Sequence, residues 1–496
     1  MIRFLLGEAV EEDIVDRVGY TDDEEEFWKY KVVIKPSRFF DEKTYGTEDS
    51  MPILPLQALK STPLSFAETQ LSVESMPLSI AGTLLSCEST PLLFGRPEIT
   101  RLGDTLVVYA DIIASSYFLL SRYEEYLRRD VRDEHGRFKG KESLPCRAGF
   151  IHRPVVDEYG CLLREWLRSC GIEVEEPPSR IDKIYLTHDV DAPFAYRTWR
   201  NIARGLKERQ NLFKLLKIKF GDLNKDPYYT FPEIFEYDDF NFERDNRRFK
   251  PDNINFNKDS SHFDNDNLNF KFDNRHIQAL LLELSLLPAQ ETPVIPEKLL
   301  FFKVGGHTIQ DRPQYNLRGR DMRQLFSLMK EHGYKAGLHS SYAAGMNPSL
   351  ISAEKARLED ALGLPITANR HHFLAAREPE DMETLADVGF TDDFTMGYAD
   401  VAGFRLGTAR AVKYINPVTL KLSDTLTLHP LNIMDSTLNS AKYMNLTASA
   451  AEEYCRNLII EVSNNYGSLT LLWHNTSFAE DSYLRDLYIK LIKEIE

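Results

Sequence analysis

Cysteine is scarce in this chain and nowhere paired. Five occur in 496 residues: Cys87, Cys146, Cys161, Cys170 and Cys455. Their odd number and scattered spacing, with no Cys-x-x-Cys, exclude a disulfide framework, and free thiols in a reducing cytoplasm are expected. Long apolar runs are missing as well. None approaches the roughly 18 residues of a membrane span. The opening "MIRFLLGEAVEEDIVDRVG" turns acidic almost at once. Its apolar run falls short of the roughly 7–15 residues of a secretory leader, so none is expected. Positive charge is in deficit: 60 Lys and Arg face 76 Asp and Glu, a formal net charge of −16. That argues against a nucleic-acid partner, though it leaves room for a local basic patch. The chain also lacks a Gly-x-Ser-x-Gly elbow, a P-loop and a Gly-x-Gly-x-x-Gly turn after a strand. Serine-hydrolase, nucleotide and dinucleotide readings therefore have no signature to stand on.

What is present is globular: 43% hydrophobic and 27% charged residues. The length favours two domains. Two stretches repeat every seven residues. In Gln57–Pro91, Leu64, Leu71, Leu78 and Leu85 recur, each followed by Ser. Pro63, Pro77 and Pro91 would break a coiled coil there, so short strands or turns are expected. In Phe242–His276 the motif is Phe-x-x-Asp-Asn, too poor in aliphatic residues to build a core. Neither repeat, at 57–91 or 242–276, is expected to carry chemistry.

Around them runs the main architecture. "DIIASSYFLLSRYEEYLRR", Asp111–Arg129, has helical periodicity. "EEPPSRID", Glu175–Asp182, reads as a linker, giving an N-terminal domain over 1–178 and a second over 181–490. In the second, strands such as "KIYLTHDV", "LLFFKVGG", "YKAGLHSSY", "LHPLNIMD" and "SLTLLWHN" alternate with helices such as "RDMRQLFSLMKEHG". Gly333 follows that helix, as a C-terminal cap requires. Repeated βα units imply a parallel sheet, open or closed into a barrel.

Each strand is expected to end in functional-group side chains. His188, Asp189 and Asp191 come first, then His339, then Arg370, His371 and His372, then Asp392 and Asp393, then Asp435, then His474. In a barrel such ends meet on one face. Taken singly, a His is usually structural and an Asp at a strand end usually caps a helix. Their joint placement tips the balance. Two imidazoles and a carboxylate suit Zn²⁺, with Fe²⁺ or Co²⁺ as neighbours, and leave a coordination position open. A second carboxylate can serve as base and a further His as acid.

"LTHDVD", "GLHSSY", "NRHHFL", "DDFTMGYADVAGFRLGT" and "LLWHN", in this order, resemble the polysaccharide deacetylases with NodB homology, carbohydrate esterase family 4. The closer resemblance is to a bacterial branch with "HDVD" in place of "TFDDG". It covers roughly residues 181–490, and the N-terminal part resembles the domain preceding the barrel in that branch. The resemblance implies an α/β fold, a distorted (β/α) barrel preceded by a smaller α/β domain. It implies metal-dependent removal of an acetyl group from an N-acetylated sugar or glycan precursor, with a divalent metal, Zn²⁺ expected. By position it makes Asp189 the general base, Asp191 a metal ligand, His339 the first His of a His-x-x-x-His motif and His474 the general acid. The motif's fifth position is Ala343, which cannot bind metal. Either the metal is lost or another His replaces the missing ligand, and His372 is the candidate. His371 should point elsewhere by strand alternation. Arg370 and Asp393 are expected to orient the base or a ligand.

Two other readings stand beside this one. Ala343 permits a metal-independent hydrolase of another non-peptide C–N bond. A barrel that binds a glycan without turning it over is the third. Asp189 and His474 speak for catalysis, since a binder has no need of such a pair.

Overall fold

The computed structural model describes residues 1–59, 89–248, 294–377, 379–479 and 482–495. The expectations placed on the repeats at 57–91 and 242–276 fall, apart from their ends, outside the described residues.

The N-terminal region builds a four-stranded sheet from β1 (Val18–Tyr20), β2 (Val32–Ile34), β5 (Gly95–Leu102) and β6 (Thr105–Ala110), in the order β1-β2-β6-β5. β1, β2 and β6 run parallel, and β5 joins β6 as an antiparallel hairpin. β3 (Gln57–Leu59) and β4 (Thr90–Leu92) form a separate antiparallel pair. Helix Ile112–Leu120 follows β6, capped by Asp111, whose Oδ1 accepts from the Ala114 amide at 2.9 Å. The periodicity predicts one helix to Arg129. The chain instead stops at Ser121, passes Arg122 at φ 54° and restarts as Tyr123–Leu127. Helical periodicity is blind to a single left-handed residue.

The second sheet has nine strands: β7 (Lys183–Val190), β8 (Glu297–Phe302), β9 (Lys335–Ser340), β10 (Ala368–His371), β11 (Asp392–Met396), β12 (Val412–Ile415), β13 (Leu422–Pro430), β14 (Ile433–Met434) and β15 (Ser468–Leu472). Their order is β12-β13-β11-β10-β9-β8-β7-β15-β14, and only β12 runs antiparallel to its neighbour. Strands of such a sheet are covered on both faces and read as apolar runs; Ile184 to Val190 of β7 are all buried. "LHPLNIMD" is not one strand. The chain leaves β13 near one edge, crosses by Leu431 and Asn432, and enters β14 at the other. Asn432 Oδ1 accepts from the Thr470 amide at 2.8 Å on β15. The sheet is thereby curled toward a barrel.

Parallel strands put all their carboxyl ends on one side. One hydrophobic cluster runs from Leu5 and Val32 through Tyr123 and Trp166 to Leu186, Leu300 and Leu471, so the apolar interior is continuous between the two sheets.

Candidate active site

Alternation along β7 sorts "THDVD" into two groups. Asp189 points to the carboxyl-end cavity, as does Asp191 just beyond the strand. His188 points the other way. Its Nδ1 lies 2.9 Å from the Trp473 carbonyl and its Nε2 lies 3.2 Å from Asp238. Tyr488 also donates to Asp238, at 2.7 Å, and Tyr334 does the same. His188 thus belongs to a buried polar cluster behind the sheet, not to the ring of strand-end groups.

Two further expected members are elsewhere. Asp392 and Asp393 open β11 rather than close it. Asp392 pairs with His429 at 2.8 Å. Asp393 accepts from Asn369 Nδ2 at 2.9 Å and Thr395 Oγ1 at 2.8 Å. Its hydrogen bonds run within that neighbouring group.

The remaining groups converge. Asp191 Oδ1 lies 3.5 Å from His339 Nε2 and 3.3 Å from His372 Nε2. Ligand atoms of the three lie within 4.8 Å of one another. A tetrahedral Zn²⁺ with bonds of about 2.0–2.1 Å has donor–donor edges of about 3.3 Å. The surroundings of two of the donors, Asp191 and His339, also fit a cation. Asp191 Oδ1 is buried with no hydrogen-bond partner among the described residues. The Arg370 carbonyl can only accept, so His339 Nδ1 donates to it, at 2.9 Å. That fixes the tautomer and leaves the Nε2 lone pair facing Asp191. Burial depresses the His339 imidazole to about 4, against the pull of Asp189 and Asp191, so it stays neutral. Burial would raise the Asp191 carboxyl, but His372 and Lys303 hold it well below the ordinary range.

His371 lies on the far side of this arrangement. It is the last residue of β10, and its Nδ1 is 3.1 Å from Asn369 Nδ2. His372 begins a short turn, followed by Phe373 and Leu374 at φ 62° and 54°. Two consecutive left-handed residues are costly, and His372, Phe373 and Leu374 all border the cavity at this turn.

Asp189 is held by Arg370, whose Nη1 donates to it at 2.9 Å, while Nη2 donates to Thr187 Oγ1 at 2.9 Å and Nε to the Phe394 carbonyl at 3.0 Å. The guanidinium lies 4.4 Å from the Phe301 ring. Gly337 on β9 makes this possible, since a Cβ there would come within 2.5 Å of that ring. His474 faces the same space, its Nε2 3.7 Å from Asp191 Oδ2. Its Nδ1 is 2.8 Å from Asp435 Oδ1. Burial would lower the imidazole, but Asp435, Asp191 and Asp189 outweigh it and raise it to about 10.

Asp189, Asp191, His339, His372 and His474 line a cavity of about 330 Å³, within the range of small-ligand sites. Two contributors, Lys303 and Arg137, escaped the sequence reading, and the role of a third, Asp435, did as well. Lys303, just past β8, is buried with Nζ 3.6 Å from Asp191 Oδ1; its position after "LLFF" was the available signal. Asp435 stood among the strand-end groups, but its role as the partner of His474 depends on a contact no spacing shows. Arg137 comes from the N-terminal region, where nothing marked it. It donates to the Phe373 carbonyl at 3.0 Å and to Tyr443 Oη at 3.1 Å and forms one wall of the cavity.

Residues 9–171 match a family model described as "Family of unknown function (DUF7033)", less than half of the chain. No curated protein matches. Among solved structures, the chain is similar to a "putative polysaccharide deacetylase from Mycobacterium smegmatis" at 13% identity and a TM-score of 0.35, over 65% of this chain and 86% of that one. It is similar to "Puue Allantoinase" at 10% identity and a TM-score of 0.32, over 64% of this chain and 85% of that one. Similarity this low bears no weight, and the functional reading rests on the site's own geometry.

Proposed function

We propose that the chain is a metal-dependent hydrolase that removes the acetyl group from the nitrogen of an N-acetylated sugar or glycan precursor. The observation that carries the reading is the convergence of one carboxylate–imidazole triad, one separately held carboxylate and one proton-rich imidazole on a single cavity. Asp191, His339 and His372 would hold a divalent ion, with Zn²⁺ the best match to the donor set. When bound, such an ion polarises a carbonyl and lowers the pKa of water.

The chain's own residues divide the proton work. Asp189, fixed by Arg370, takes a proton from the attacking water. His474, kept protonated by Asp435, gives its Nε2 proton to the departing amine. Asp189 lies 3.4 Å from His339, so water activated beside the triad lies within its reach. Acetate and a free amino sugar are the products.

The test is acetate release from a panel of N-acetyl sugars. General acids and bases typically contribute roughly 10²–10⁴-fold each. Asp189→Asn and His474→Ala should lower acetate release by about that much while keeping fold and Zn²⁺ content. Full activity in Asp189→Asn would assign the base elsewhere. Lys303 favours a second reading. Its ammonium supplies positive charge at Asp191 without a metal. Turnover undiminished after exhaustive chelation would favour that metal-independent hydrolase.

A further inference from the structure

The chain's −16 charge hides one strongly basic segment. Arg200, Arg204, Lys207, Arg209, Lys214, Lys217 and Lys219 fall within 20 residues, opposed there only by Glu208, while Arg197 just before them is paired with Asp321. The segment folds as a helical hairpin, Trp199–Lys207 and Leu212–Phe220, placed between β7 and helix Phe231–Arg248. Ile202, Leu215 and Ile218 anchor it inward. Its outward face is unusual for a solvated one. Trp199 is 63%, Phe213 82% and Phe220 70% exposed, and Leu206 and Leu212 are exposed beside them.

These groups share a surface. Phe213 and Phe220 are seven residues apart on one helix, with Lys217 between them, so all three lie on one face. Trp199 meets Phe220 edge-on, with ring centroids 5.8 Å apart, and Lys219 Nζ sits 4.7 Å from the Trp199 ring. Interleaved large apolar tips and cations are the composition of a helix that lies in a bilayer interface. The hairpin also leaves the fold at the cavity rim. Asn475, next to His474, donates to the carbonyls of Ala192 at 3.1 Å and Tyr228 at 2.7 Å, on either side of the hairpin.

We propose that the hairpin 197–220 docks the protein on an anionic membrane surface, its aromatic tips in the headgroup layer. Among the described residues no helix is long and apolar enough to cross a membrane, so the contact is interfacial. The acidic remainder of the chain is repelled by the same surface, which leaves this patch as the face that approaches and sets the orientation. Nucleic acid would use the cations but has no use for exposed Leu206, Leu212 and Phe213. This inference does not depend on the hydrolase reading.

The experiment is flotation of the full chain with vesicles of phosphatidylglycerol and phosphatidylcholine in equal parts, compared with phosphatidylcholine alone. Binding is expected to the anionic vesicles only and should fall as salt rises. Trp199→Ala/Phe213→Ala/Phe220→Ala should weaken it about tenfold or more, and Lys214→Glu/Lys217→Glu by a similar factor. All five side chains are exposed, so both variants should melt with the wild type, and the charge variant provides the test if the apolar one does not fold. The proposal is overturned by wild-type protein that stays in solution with both vesicles. Equal binding to neutral vesicles, variants that bind like the wild type, or retention on duplex DNA in place of vesicles would overturn it as well.

Discussion

His371 and His372 are adjacent, identical in type and opposite in surroundings. His372 turns its Nε2 to within 3.3 Å of Asp191, whereas His371 Nε2 lies 4.0 Å from Asp381. The triad reading therefore makes an asymmetric prediction. His372→Ala should cut Zn²⁺ content sharply, as should Asp191→Ala, while His371→Ala should spare it. Elemental analysis of the purified variants measures this directly. An emptied site in His371→Ala with a full one in His372→Ala would reverse the assignment. The pair was legible in sequence as far as the alternation rule reaches, because β10 is regular to His371. The left-handed turn at Phe373 and Leu374 was not, since neither residue type favours positive φ.

Alternation acts at the element scale in β7, where it separates Asp189 from His188 across the sheet. The two faces serve different ends. Behind the sheet, Asp238 is buried and accepts hydrogen bonds from Tyr334 and Tyr488, with His188 beside it. Asp238→Ala would strand these polar groups, each at a cost of about 1–3 kcal/mol. The variant should lose that much stability in urea or thermal melts yet keep its Zn²⁺ content, the reverse of Asp191→Ala. Loss of metal in Asp238→Ala would mean that the faces are not independent. The same strand shows what the sequence could and could not give. The run "KIYLTHDV" and its βα successors were readable from apolar character and spacing. Asp392 and Asp393 were misplaced because a strand's polar end does not say which end it is. The break at Leu431–Asn432 was missed because "LHPLNIMD" is apolar on both sides of it. Lys303, Asp435 and Arg137 enter the site through contacts between distant segments, which one sequence does not display.

At the scale of the whole molecule, buried polar contacts fasten the N-terminal region to the surroundings of the nine-stranded sheet. Glu125 and Arg405 meet in a two-pronged pair at 2.9 and 2.6 Å, each side chain 4% exposed. Asp157 accepts from Arg410 Nε at 2.8 Å, Thr408 Oγ1 at 2.8 Å and the Ala409 amide at 2.7 Å. With an apolar interior continuous across the same boundary, we expect the chain to unfold in one calorimetric transition. Separate melting of 1–178 and 181–490 would contradict this. Arg405→Ala should then destabilise the whole, not one half. It leaves Glu125 buried without its main counter-charge, a loss of about 3–5 kcal/mol. The effect has a pH signature. Burial alone would raise the Glu125 carboxyl, but Arg405 and Arg122 bring it below its ordinary value. A depressed folded-state value means the pair's contribution is complete above the unfolded carboxylate value and is lost as pH falls through the folded one. Urea melts of wild type and Arg405→Ala should therefore differ most near neutrality and converge in acid. A gap that stays constant from neutral to acid pH would show that Arg405 acts through packing and not through the charge of Glu125.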